Sequence, residues 1–319
     1  MKRYVAVVLA AALIWSGYWF VQAQALRGSI EDWFDARRAE GWTAAYDDLT
    51  VRGFPSRLDV TITQPDIRDP DSGTGWQTPF VQILGLSYRR DHVILAFADT
   101  QRIITAEHDL QIASDGLRAS LVEEDDVIAR LNVEARTLNI TGAEAQIALA
   151  QPLLNFHRTT GTQYRLAASS TGIAAPQSGL NGGGSDALTL QLLTEFAQPW
   201  TLDALSGDRP APRAVDIVQA SYRHAELELD LSGGVTADAE GRMDGEIALR
   251  AVNWKALLDQ ARDIGTLPDA LADPLEDALT LAAGLSGQRD TLDVPLTFRR
   301  GAMFFGMIPL GQAPRLQWP

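Results

Sequence analysis

An α+β fold, with an N-terminal transmembrane helix followed by extended, curved antiparallel β-sheet, is predicted by three observations. An uncharged run fills Tyr4 to Val21, alternation of apolar and polar residues dominates from Trp42 onward, and a short helical pattern interrupts that alternation near 253–284. The division that follows is a short tail and anchor over 1–21, an amphipathic helix over 22–41, a β-rich half over 42–175, a linker over 176–185, and a second β-rich half with a helical pair over 186–319.

Lys2 and Arg3 precede the apolar run, and basic residues on a short leading tail favour keeping it in the cytosol. The run is at the lower length limit for a helix crossing a bilayer. Tyr4, Leu9 and Leu13 supply its apolar body, while Trp15, Tyr18, Trp19 and Phe20 crowd its outer end, where amphipathic rings settle at headgroup level. The expectation is a single-pass inner-membrane anchor with the bulk of the chain in the periplasm. Ala23, Gln24 and Ala25 also spell an A-x-A cleavage site, so the rival expectation is a removed signal peptide and a soluble periplasmic protein. A bulky aromatic cluster suits an anchor better than a cleavage region. Beyond it, Leu26, Ile30, Trp33 and Phe34 recur at helical spacing on one face, and the pattern runs to about Glu40 before Gly41 stops it, with Gly28 as a place to bend.

Strands follow. RLDVTIT sets Leu58, Val60 and Ile62 against Asp59, Thr61 and Thr63; LTLQLLTEF, AELELDLSG and LDVPLTF repeat the alternation around Leu190, Leu229 and Val294. HVILAFAD has no polar face, which predicts a strand covered on both sides. DPDSGTG, SDG, DAEGRMDG and RRG punctuate these runs as turns, several of them joining hairpins. The helical pattern places Trp254, Leu257, Leu258 and Ala261 behind Asn253, with Gly265 closing it. A second helix is expected behind Asp273, with Pro274 in its first turn and Glu276 as the capping acid. PQSGLNGGGS, 176–185, reads as the hinge.

Composition narrows the chemistry. With 319 residues, 46% of them hydrophobic, the chain can bury a substantial core, and a net charge of -14 argues against a nucleic-acid partner. The absence of cysteine excludes thiolate catalysis, iron-sulfur clusters and cysteine-ligated zinc. His92, His108, His157 and His224 show no metal-ligand spacing, the G-x-S-x-G elbow is missing, and the glycines at 182–184 lack a P-loop's Lys and Ser/Thr. The acidic runs Glu123–Asp126 and Asp238–Glu246 read as solvated turns. No catalytic residue, cofactor or metal is expected.

GFPSRLDV at 53–60, LDLSGGVTADAEGRMDGEIALRAVNW at 229–254 and LDVPLTFRRGAMFFGMIPLG at 292–311, behind the anchor, together resemble a bacterial domain-of-unknown-function family of inner-membrane-anchored envelope proteins. That family has no established activity, so the resemblance implies no catalytic residues. The architecture is also similar to that of AsmA-like envelope proteins, whose sheets are linked to lipid transport, although this chain is too short to bridge two membranes. Gly53 and Pro55 read as a turn placing Phe54 against the sheet, and GMIPLG as core. Two functions remain open: a membrane-tethered protein holding a lipid or lipoprotein on an apolar sheet face, or a structural module with a closed core that binds other envelope proteins. An envelope hydrolase would require a buried carboxylate pair in a wet cleft.

Overall fold

The apolar run and the amphipathic stretch behind it form one unbroken helix, α1 (Lys2–Ala39), in the computed structural model. The structure describes residues 1–143, 146–175, 180–181, 186–205, 207–224, 226–263, 276–277, 279–280, 283–284, 290–306 and 308–318. Gly28 does not interrupt α1; the helix ends at Ala39 with Glu40 as its cap, Arg37 and Arg38 in the last turn near the negative end of its dipole and Gly41 at φ +89°.

Strands β1 (Thr43–Ala45), β2 (Asp48–Arg52), β3 (Arg57–Thr63), β4 (Asp66–Arg68), β5 (Gly75–Gln77), β6 (Phe80–Leu86), β7 (Arg89–Phe97), β8 (Thr100–Ile104), β9 (Asp109–Asp115), β10 (Arg118–Glu124), β11 (Val127–Glu134) and β12 (Thr137–Thr141) follow. Then come β13 (Gln146–Ala150), β14 (Leu153–Thr160), β15 (Gln163–Ser170), β16 (Gly172–Ala175), β17 (Leu180–Asn181), β18 (Ala187–Phe196), β19 (Pro212–His224), β20 (Leu227–Ala237) and β21 (Met243–Val252). Helix α2 (Trp254–Asp263) precedes β22 (Thr291–Arg299), β23 (Ala302–Phe305) and β24 (Ile308–Gln312). The protein is mostly antiparallel sheet with few helices, and the strand orders are open, with no closed barrel among the described residues.

The chain divides into two compact units, Met1–Glu123 with Val133–Ala143, and Glu124–Asn132 with Glu144–Pro319. In the first, strands order as β2-β3-β6-β7-β10 in one sheet and β1-β4-β5-β8-β9-β12 in another. Period-two patterning in β3 turns Leu58, Val60 and Ile62 inward, and all three are buried. Register aligns Val60 with Val51 and Ile83, and Ile62 with Leu49 and Val81, so one face is continuously apolar. Helix α1 covers it: Phe34 is buried among Ala44, Leu49, Val60, Ile62 and Val81, while Leu26 and Ile30 pack around them. The stripe facing the sheet runs Trp19, Ala23, Leu26, Ile30, Phe34 at helical spacing, with Leu26 and Ile30 partly buried. Trp33, expected on it, falls one step to the side and stays 44% exposed, with Arg37 over its ring at 5.9 Å. The doubly apolar β7 is half-buried on both faces along Val93–Phe97.

In the second unit β11-β14-β15-β18-β19-β20-β21-β22-β23-β24 form one sheet and β13-β16-β17 another. DAEGRMDG joins β20 to β21 and RRG joins β22 to β23, both as hairpins. Asp238 ties the first of these turns by accepting from the Glu240 and Arg242 amides, which fits a β-turn. Helix α2 begins directly after Asn253, and Trp254 and Leu258 bury against Ala251 and Leu292. Gly265, Asp273 and Pro274 lie outside the described residues; Glu276, Asp277, Leu279 and Thr280 are helical. Of the segment 176–185 only Leu180 and Asn181 are described, paired with Ala175 and Ala174.

Candidate functional site

The GFPS turn between β2 and β3 and the tight turn between β6 and β7 both meet α1 at its aromatic segment. The Trp15 indole N–H donates to the Pro55 carbonyl at 2.8 Å, that of Trp19 to the Arg57 carbonyl at 2.6 Å, and the Tyr18 hydroxyl to the Ser87 carbonyl at 3.4 Å. The turns are tied to each other as well, since the Ser87 amide and hydroxyl both donate to the Ser56 carbonyl, at 2.9 and 3.1 Å. Gly53 is required here: at φ +107° a side chain would put its first carbon 2.6 Å from the Arg57 Cβ. Phe54 does not turn to the sheet as the sequence suggests. Its ring lies edge-on to Trp19 at 5.5 Å and stacks near Phe20 at 6.0 Å, leaving it 52% exposed.

The residues expected to form the anchor therefore divide. Tyr4, Leu9, Leu13 and Phe20 are exposed along α1; Trp19 is 5% exposed, covered by the body of the protein; Trp15 and Tyr18 lie between, their polar atoms bonded to turn carbonyls. α1 is the one helix among the described residues long and apolar enough to cross a membrane.

One step further along α1 a crevice of about 280 Å³ opens between the helix and the sheet. Gln22, Ala25, Leu26 and Ser29 form its helix wall; Leu58, Ile83, Gly85, Leu86 and Val93 form its floor; Arg89 and Arg90 stand at its rim. Its origin is a missing side chain. Register places Gly85 between Leu58 and Val93 in one cross-strand row, so the row has a gap beneath the helix. The Arg90 guanidinium bonds the Gln22 side-chain carbonyl, and Arg89 faces Asp91 at 3.4 Å. Neither the crevice nor the docking of the turns was readable from strand patterns, although a glycine inside the β6 alternation and the Arg-Arg pair beside it were the available signals.

Elsewhere a polar cleft of about 370 Å³ is lined by Gln77, Thr78, Gln101, Arg102 and Gln111; the Trp76 indole N–H donates to the Gln101 side-chain carbonyl at 3.0 Å. Arg102 forks onto Asp109, and this bond holds the Asp109 carboxyl below its ordinary value. In the second unit Asp186, 1% exposed, lies 2.9 Å from the His224 ring nitrogen Nδ1. His92 Nε2 lies 2.9 Å from the Ser120 hydroxyl. No three of His, Asp and Glu gather as a metal site would need among the described residues.

A long apolar helix whose aromatic stripe is stitched to the turns of an antiparallel sheet defines a class, the helix-led β-sheet protein. Over residues 19–314 the chain matches the family described as an uncharacterized protein conserved in bacteria, DUF2125, and it belongs to that family. No curated protein and no solved structure matches it.

Proposed function

We propose that this is a membrane-tethered envelope protein, its N-terminus cytosolic and its sheets periplasmic, that shelters part of one acyl chain of an anionic lipid in the crevice beside α1. The observation that supports this reading is the crevice itself, apolar along Leu26, Leu58, Ile83 and Val93 and basic at Arg89 and Arg90, opening within two helical turns of the uncharged run. Its volume, about 280 Å³, lies just below the usual range of ligand sites and would take part of one chain. The arginines would meet a phosphate by charge-assisted hydrogen bonds. Retention of the helix is favoured over cleavage after Ala25, because Trp19 and Ala23 are buried with Leu58 and a cut there would strip both from the core.

The test is mass spectrometry of lipid retained by the full chain purified in mild detergent, compared with Gly85→Leu. A side chain at 85 meets nothing closer than 3.8 Å at its first carbon, so this variant fills the gap without backbone strain. Wild type should retain phospholipid and Gly85→Leu should lose most of it. Equal retention by both would remove the crevice from consideration. Absence of lipid from both would favour the interaction-module reading, in which crosslinking recovers envelope proteins instead.

A further inference from the structure

We infer that the two turns docked on α1 are themselves immersed in the bilayer surface, so that Phe54 and Tyr88 are lipid-contacting side chains; the inference rests on the membrane-anchor reading above. The first argument is length. At ~1.5 Å per residue, Tyr4 to Val21 rises roughly 27 Å, close to the ~30 Å hydrocarbon core. The turns, however, bond Trp15, Tyr18 and Trp19, which lie inside that run. Below them only Tyr4 to Ile14 remains, about 17 Å of helix, too short to span. A helix that spans carries the turns into the membrane with it.

The second argument is polarity. Loops tolerate membrane depth only when their backbone groups have partners other than water. Here the carbonyls of Pro55, Arg57 and Ser87 are capped by the anchor's own donors, and Ser56 accepts twice from Ser87, which is fully buried. Each turn presents one large aromatic ring outward, Phe54 at 52% and Tyr88 at 64% exposed, Phe54 beside exposed Phe20, while the exposed arginines Arg57 and Arg89 flank them. Aromatic rings of this kind belong at the membrane-water boundary. Arg89 and Arg90, at the start of β7 next to Tyr88, carry positive charge to the depth of the headgroup phosphates in a chain whose net charge is -14.

Because the chain has no native cysteine, single cysteines report position directly. Nitroxide labels at Phe54→Cys, Tyr88→Cys, Leu9→Cys and Glu40→Cys, in the full chain reconstituted into phosphatidylethanolamine vesicles with a minority of phosphatidylglycerol, would be read by collision with oxygen against a water-soluble nickel chelate. Oxygen should dominate several-fold at Phe54 and Tyr88, more strongly at Leu9, while the chelate dominates at Glu40. Chelate-dominated labels at Phe54 and Tyr88 with a lipid-buried Leu9 overturn the inference and leave the anchor standing. A chelate-dominated Leu9 overturns both. Tyr88 sits on a separate turn from Phe54, so its label decides the matter even if Phe54→Cys loosens the contact with Trp19.

Discussion

Among the described residues, α1 lies across the β2-β3-β6 part of the first unit's sheet, whereas in the second unit α2 and the C-terminal segment each cover only a part of the apolar face. Under α1, Val60, Leu49 and Phe34 are almost wholly inaccessible. In the second unit, α2 covers the row Leu229–Ala251–Leu292 and the C-terminal segment covers Val235, Met243 and Phe298 through Leu316. Between them the aligned row Leu190–Ala220–Leu231–Leu249 is half-buried throughout. The strands of both units alternate alike. Burial in such a protein is decided by whether a helix lies across the sheet, more than by the strands' own composition.

The comparison breaks most visibly at the helix. Trp19→Ala removes a buried ring and its bond to Arg57, and should cost about 3–5 kcal/mol in denaturant unfolding of the detergent-solubilised chain. A loss under 1 kcal/mol would mean that α1 lies loosely on the first unit. Tyr164→Phe tests the best-packed point of the second unit. Tyr164 is fully buried, stacks on Phe156 at 4.6 Å, and accepts from the Trp200 amide at 2.9 Å. Leaving that amide unpaired should cost ~1–3 kcal/mol. Burial also raises the Tyr164 hydroxyl above its ordinary 10.0. The folded value exceeds the unfolded one, so its contribution is intact below pH 10.0 and lost as pH rises through the raised value, a loss that Tyr164→Phe should abolish in alkaline titrations.

Leu231→Ala sharpens the contrast. Half-buried, Leu231 should cost only about 1 kcal/mol, well under Leu49→Ala in the same assay. Equal losses would show that the middle of the second sheet is as covered as the first. The smallest effect is expected at Asp109→Asn. Its bond from Arg102 lowers the carboxyl below 3.8, so the stabilisation is present above pH 3.8 and fades as pH falls through the lowered value. Both groups are exposed, so the change should appear only as a slightly altered acid-unfolding curve that salt flattens.

The long strands and the leading helix were legible because each carries its own period: RLDVTIT and AELELDLSG alternate within themselves, and Leu26, Ile30 and Phe34 repeat at helical spacing. The short strands were not. TAA, DIR and GWQ are three residues each and owe their conformation to their neighbours in the sheet. The docking of the turns on α1 was invisible for a related reason. Trp15 and Pro55 are 40 residues apart, and no local pattern says that an indole will meet a particular carbonyl. Aromatic clustering at the end of an apolar run suggested a ring belt; in the fold, Trp19 of that cluster is also packed against Leu58 of the first unit.

An unbroken helix from Trp15 to Phe34 leaves no joint between its exposed outer half and the sheet. Whatever tilt or roll the outer half adopts is passed to the sheet without slack, as a mast passes the heel of a hull to its sail. Orientation in such a molecule is inherited rather than searched for, and inserting a few glycines after Ile14, ahead of the docked indoles, would set the first unit free to wander.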